Sequence, residues 1–230
     1  MSNSSQQLAS ELTQDSIDAP FPIVGIAASA GGLEAFTQLL SHLPSDTGMT
    51  FVLIQHLVPA RESLLSEILA RVTPLPVREV QNGMTVEPNQ VYVIPPNTKM
   101  SLSEGGLQLS PREKVFGKYM PGDAFFASLA VDRGQKAIAV VLSGSDGDGS
   151  LGLKAIKAAG GVTFAQCEDT ASDSKRHRAE IRAKVDHMGI KALHREAFAV
   201  RLKTGLIWLI SCTPEQRCNE GIRVSAAQTG

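Results

Sequence analysis

A serine, a histidine and a pair of aspartates each follow an apolar run in this chain. Ser29 ends the run Ile23-Val24-Gly25-Ile26-Ala27-Ala28 and precedes Ala30-Gly31-Gly32. His56 follows Phe51-Val52-Leu53-Ile54-Gln55. Asp146 and Asp148 lie in the loop Ser143-Gly144-Ser145-Asp146-Gly147-Asp148-Gly149, after Ala137 to Leu142. A serine hydroxyl is a weak nucleophile near neutral pH; it needs a base to take its proton and an acid to orient that base. Ser29, His56 and one of the two aspartates supply those roles. Ala27 and Gly31, two residues either side of Ser29, let the chain turn sharply from strand to helix. The amides opening the next helix can then face a developing negative charge.

Each piece has a blander reading. A glycine-rich strand–helix turn also suits a phosphate, but the glycines here lack G-x-G-x-x-G spacing and no G-K-[ST] follows. A lone histidine after a strand is often structural, and an Asp-Gly-Asp-Gly loop is often a turn or a cation site. The joint pattern is more specific. In an open parallel sheet, ligands collect at the carboxyl ends of the strands, and all three candidates fall there.

The elements that must position them follow from periodicity. Leu33, Phe36, Leu39, Leu40 and Leu43 repeat at helical spacing until Pro44, and Leu64, Leu65, Ile68, Leu69 and Val72 repeat between Pro59 and Pro74. Helices are predicted over 122–133 and from Leu151 to Ala159, with a strand at Val162 to Ala165. His42 belongs at a helix end, where a cation faces the last carbonyls favourably. Val77–Val80, Val91–Ile94, Lys99–Leu102 and Leu107–Leu109, punctuated by Asn82-Gly83, Pro95-Pro96-Asn97 and Glu104-Gly105-Gly106, predict an antiparallel β insertion. Strands alternating with helices elsewhere predict an α/β fold: a three-layer α/β/α, Rossmann-like, doubly wound and mostly parallel sheet.

Composition sets the class. The 230 residues are 43% hydrophobic and 20% charged, with a net charge of −1, which describes a soluble globular protein with no global nucleic-acid or membrane signal. Cys167, Cys212 and Cys218 form no C-x-x-C pair, which argues against a zinc site or disulfide framework. The first basic residue is Arg61 and no apolar run reaches membrane-spanning length, so a cytoplasmic location is expected. Residues 1–20 read as a disordered lead, 21–170 as the catalytic domain, and 171–230 as a divergent segment. That last segment holds a basic cluster, Lys175 to Lys184, read as a solvated face. No metal or cofactor is called for.

Ala28-Ser29-Ala30-Gly31-Gly32, Ile54-Gln55-His56 and the Leu-Ser-Gly…Asp148-Gly149…Gly152-Leu153 segment resemble the catalytic domain of CheB-type chemoreceptor glutamate methylesterases. Val91 to Asn97, Phe125 to Ala130 and Ala158 to Gln166 extend the resemblance over roughly residues 21–170. Its flavour is that of esterase regions fused to receptor methyltransferases. The resemblance implies Ser29 as nucleophile, His56 as general base and acid, and Asp148, rather than Asp146, as the orienting carboxylate. It implies hydrolysis of γ-glutamyl methyl esters, deamidation of receptor glutamines by the same chemistry, no cofactor, and a methylated chemoreceptor cytoplasmic domain as partner, with further signalling proteins. The amide of Ala30 and a loop amide near Ser145 would face the oxyanion, where one donor is worth about 3–4 kcal/mol.

The chain departs from the family pattern at Ala30, where a threonine is usual, at Ser145, where a methionine is usual, and at Tyr119, where a histidine is usual. It departs most after Asp169, where a remodelled or frame-shifted end is expected. No receiver domain precedes the first strand, so control by phosphorylation within this chain is not expected. The alternative function is a catalytically weak regulatory or docking module of the same fold.

Overall fold

The computed structural model describes residues 21–28, 32–55, 64–114, 117–142 and 147–166, together with the strands Lys191–Leu193 and Ser211–Cys212. The strands, in chain order, are β1 (Ile23–Ala28), β2 (Thr50–Gln55), β3 (Val77–Glu79), β4 (Met84–Thr85), β5 (Gln90–Val93), β6 (Thr98–Ser103), β7 (Gly106–Pro111), β8 (Ala137–Val141), β9 (Val162–Gln166), β10 (Lys191–Leu193) and β11 (Ser211–Cys212). The helices are α1 (Gly32–Ser41), α2 (Leu65–Ala70), α3 (Pro121–Arg133) and α4 (Ser150–Ala158). They lie where apolar periodicity predicts them.

The main sheet has the order β11-β10-β9-β8-β1-β2-β5-β3 and is parallel except at β11. Every residue of β1 and β8 is buried, because helices cover both faces of the sheet. Successive side chains point to opposite faces, which splits the core in two. Val24, Ile26, Phe51 and Leu53 pack with Phe36, Leu39 and Leu40 of α1 and with Leu65 and Leu69 of α2. Ala27, Val52, Ile54 and Ala139 pack with Phe125, Phe126 and Leu129 of α3 and with Leu153 and Ile156 of α4. The result is the predicted three-layer α/β/α arrangement.

The middle of the chain corrects one expectation. Of the four runs assigned to an antiparallel insertion, two belong to the main sheet. β5 pairs in parallel with both β2 and β3. Only β4, β6 and β7 form the small antiparallel sheet. Length and turn signals do not separate the two groups. Burial marks out β5, whose Val91, Tyr92 and Val93 are all buried, as a strand covered on both faces requires, whereas β6 and β7 mix buried with more exposed positions; β3, at the edge of the main sheet, is half-buried to exposed and is told apart by its pairing alone. The small sheet packs Met100, Leu102 and Leu107 into the α3 side of the core.

His42 lies just past α1, where the sequence places it. Its Nδ1 is 2.6 Å from the Gln38 carbonyl, and since a carbonyl can only accept, that nitrogen carries the proton. In the segment 171–230, β10 pairs in parallel with β9, and β11 pairs antiparallel with β10. The basic cluster from Lys175 to Lys184 lies outside the described residues.

Candidate active site

The chain runs from β1 to β2, out to the edge strand β3 and back to β5 between them, then crosses to β8 on the other side of β1. The order of the sheet therefore reverses between β1 and β8, and such switch points open a crevice at the carboxyl ends of the strands. Three strands end there together. Ala28 is paired with Gln55, and Ala27 with Val141, whose successor Leu142 donates its amide to the Ala27 carbonyl at 2.9 Å. Ser29 is the next residue after Ala28 and His56 the next after Gln55. Ser29, Ala30, His56, Ser145 and Asp146 themselves lie outside the described residues.

Asp148 is described, and its carboxylate is held by backbone. Oδ2 accepts the Gly122 amide, and Oδ1 accepts those of Asp123 and Gly149, each at 2.9 Å. Gly122 and Asp123 open α3 behind Pro121, so their amides belong to the first turn, which has no partners within its own helix. Met120, the residue before the helix, supplies no side-chain cap. Asp148 replaces that missing cap from more than twenty residues away, and a carboxylate at a helix N-terminus is also favoured by the helix dipole. A carboxylate can accept about four hydrogen bonds. Holding three amides therefore does not exclude an imidazole N–H as a further partner.

The arrangement is reciprocal. Asp123, in the first turn of α3, accepts the Gly152 amide from the first turn of α4 at 2.8 Å. Asp148, two residues before α4, caps α3 in return. The two helix starts are thus locked to each other and to the loop that presents Asp148.

Small residues make this lock possible. A Cβ on Gly122 would sit 3.1 Å from both Asp148 oxygens and 3.0 Å from the Ala27 Cβ. Gly149 has φ +85°, and a Cβ there would come within 2.9 Å of Val141. A Cβ on Gly152 would fall 2.5 Å from that of Phe126. Gly147, at φ +75°, also takes the left-handed conformation that glycine tolerates. The sequence pointed to the loop glycines. It did not point to Gly122, Asp123 or the use of α3 as an anchor, although Pro121-Gly122 ahead of an apolar helix is a readable helix start.

Beside this anchor, Gln55 closes β2. Its side chain lies against the start of α1, with Nε2 only 3.4 Å from where a Gly32 Cβ would be. A small depression there is walled by Gln55, Pro95, Pro96, Arg112 and Pro121. Among the described residues, no three His, Cys, Asp or Glu side chains are placed to hold a metal ion. No described helix is long and apolar enough to cross a membrane.

Known proteins resemble this chain in sequence and in fold. The protein-glutamate methylesterase/protein-glutamine glutaminase 2 of Burkholderia lata is 39% identical over 151 residues, 65% of this chain and 44% of that protein. The protein-glutamate methylesterase/protein-glutamine glutaminase 3 of Myxococcus xanthus is 34% identical over 169 residues, 73% of this chain and 47% of that one. The chain thus spans about half the length of these curated relatives. The crystal structure of the Thermotoga maritima CheB methylesterase catalytic domain superposes with a TM-score of 0.68, covering 77% of this chain and 95% of that one at 23% identity, a likeness of fold. The family model described as CheB methylesterase matches residues 24–195, and the chain belongs to that family.

Proposed function

We propose that this chain is a serine hydrolase acting on γ-glutamyl methyl esters of a protein substrate, with Ser29, His56 and Asp148 as its triad. One observation carries the reading: a carboxylate anchored by three amides stands at the sheet edge where paired strands end, one residue before Ser29 and one before His56. Family membership supports the reaction class, and the relatives' names supply the substrate group.

In this mechanism His56 takes the proton of Ser29 as Oγ attacks the ester carbonyl carbon. The tetrahedral intermediate carries its negative charge on the former carbonyl oxygen, facing the amide of Ala30 and a loop amide near Ser145. As the intermediate collapses, the C–O bond to the methoxy group breaks, and His56 returns the proton so that methanol leaves. Water, deprotonated by His56, attacks the Ser29 ester and restores the free glutamate and the serine. Asp148 holds the imidazole in the tautomer this exchange needs. A glutamine side chain would follow the same path with ammonia as leaving group. The substrate is a methylated receptor cytoplasmic domain, and the catalytic domain spans 21–170.

The test is methanol release from a methylated receptor fragment by the native chain and by Ser29→Ala, with circular dichroism on both. Release that disappears in the variant is the expected outcome. Ser29-independent release would overturn Ser29 as the nucleophile, and no release from folded native protein would overturn the esterase reading and leave a docking module of the same fold.

A further inference from the structure

A groove of about 420 Å³ runs along the start of α3 beside the Asp148 anchor. Pro121, Ala124 and Ala127 of α3 and Leu151 of α4 form an apolar wall, with Leu151 67% exposed. Met120 and Tyr119 continue that wall towards the small sheet. The groove is contiguous with the catalytic edge. Thr98, Arg112 and Pro121 line both it and the depression at Gln55, and the residue after Pro121 donates its amide to Asp148.

Cationic side chains line the same groove. Lys99, Arg112 and Lys118 line it, and the Arg112 guanidinium stacks on the Tyr119 ring at 3.7 Å from the centroid. Lys114 approaches the same ring at 5.5 Å. Stacking keeps the Arg112 side chain in one place. Two acids also line the groove. Glu113 is 73% exposed and sits 3.9 Å from Lys99, an exposed pairing that competes weakly with an incoming anion. Asp123 is turned to the Gly152 amide within the helix lock. A mainly apolar lining set with cations matches a segment with an apolar stripe and acidic residues beside it.

We infer that this groove is a specificity surface that docks an acidic, amphipathic protein segment, with Lys99, Arg112 and Lys118 reading carboxylates that neighbour the scissile ester. The inference rests on the esterase reading for its substrate. A segment bearing several glutamyl groups carries charge wherever they are not esterified. Charge reading at the groove therefore draws such segments to the site and holds one ester against the triad. Apolar contact supplies affinity, while the cations supply selection.

The probe is a fluorescein-labelled peptide with one glutamyl methyl ester flanked by glutamates, alongside a twin with glutamines in those positions. Anisotropy reads binding to the native chain, to the Lys99→Glu/Lys118→Glu double variant, and to Lys136→Glu, an exposed site just before β8 at the amino end of the strands. The native chain is expected to prefer the acidic peptide by ~10-fold or more. The double variant should lose that preference and Lys136→Glu should keep it. Salt should weaken the acidic peptide more than its twin.

Because each variant is judged on the ratio of two peptides, partial unfolding does not mimic the effect. Equal binding of both peptides by the native chain, or equal loss in Lys136→Glu, overturns the inference. So does displacement of the acidic peptide by an oligonucleotide of equal charge, which would mark a general polyanion surface. Methanol release in the same samples separates the two ideas. Charge-selective binding without Ser29-dependent release sinks the esterase and leaves the groove. Ser29-dependent release without charge selection does the reverse.

Discussion

The two faces of the central strands are built from different residues. Towards α1 and α2, β1 and β8 present Val24, Ile26, Ile138 and Val140, which meet Phe36, Leu39 and Leu40. Towards α3 and α4 the same strands present Gly25, Ala27, Ala137 and Ala139, flanked by Ile23 and Val141, and these meet Phe125 and Phe126. On the first face bulk lies on both sides and the helices stand off. On the second, the strands give up volume to the helix aromatics. A Cβ on Gly25 would come within 2.9 Å of the Phe126 ring and 3.0 Å of the Phe125 ring. Gly149 and Gly152 make room for Phe126 from the other side. The small-residue face is the one that carries the candidate site. Close approach of α3 brings its first-turn amides within 2.9 Å of Asp148, a distance a bulkier sheet surface would not allow.

That contrast can be broken most sharply at Asp148. Asp148→Asn keeps the shape but turns an N–H₂ towards one of the donor amides. By analogy with orienting carboxylates of serine hydrolases, kcat should fall by about 10⁴-fold, while stability falls by only about 1–3 kcal/mol. Single-turnover kinetics beside urea melts would check both. Matched losses in the two measurements would make Asp148 a helix cap alone.

A paired truncation compares the faces directly. Phe126→Ala and Phe36→Ala each empty a fully buried ring site, at a cost of about 3–5 kcal/mol. At a temperature where both variants remain folded, Phe126→Ala should also lower kcat, because α3 and the Asp148 loop lose their common support. Phe36→Ala should leave kcat within about 2-fold, since its loss lies across the sheet from the anchor. Equal effects on kcat would mean that the small-residue face has no special link to the site.

The smallest effect belongs to Tyr92, on the same face. Its Oη donates to the Thr85 carbonyl at 3.3 Å and accepts the Glu87 amide at 3.1 Å, tying the main sheet to the connection that carries β4. Tyr92→Phe should cost about 1 kcal/mol at neutral pH. Burial raises the Tyr92 pKa above the ordinary 10.0, outweighing the hydrogen bond from the Glu87 amide, which lowers it. The phenol therefore stays neutral in the folded protein while it ionises in the unfolded chain. Its contribution is fully present below pH 10.0 and is lost as pH rises through the higher folded value. The gap between native and Tyr92→Phe melting curves should narrow above pH 10. A gap that widened there would contradict the buried, neutral phenol.

Much of this was legible in the chain. The continuous apolar runs of β1, β2 and β8 marked buried strands, since continuous hydrophobicity such as Phe51 to Ile54 has no stable place except between two covered faces. The Asp-Gly pairs marked a loop needing left-handed backbone, and Gly147 and Gly149 adopt it. Local patterns do not state pairing partners, however. Val77–Val80 and Val91–Ile94 look like Lys99–Leu102 in length and punctuation, yet β3 and β5 join the parallel sheet while β6 turns back on β7. Register and sheet membership depend on contacts with distant strands, which no short window of sequence contains.

The same division runs through the site. Residue type and position after a strand were enough to pick Ser29, His56 and the pair Asp146 and Asp148 as candidates, because nucleophile, base and acid each need a particular functional group; the preference for Asp148 came from the family resemblance. What holds Asp148 in place was not readable, because its partners are backbone amides and an amide has no residue signature. Only the packing of α3 against Gly25 and Ala27 decided that the first turn of that helix, rather than its own N-terminal neighbour, would receive the carboxylate. The sequence by itself determined the chemical groups and the covered strands. The tertiary structure alone decided the reciprocal capping of α3 and α4, since helix ends are satisfied by whatever the folded chain brings within hydrogen-bonding reach.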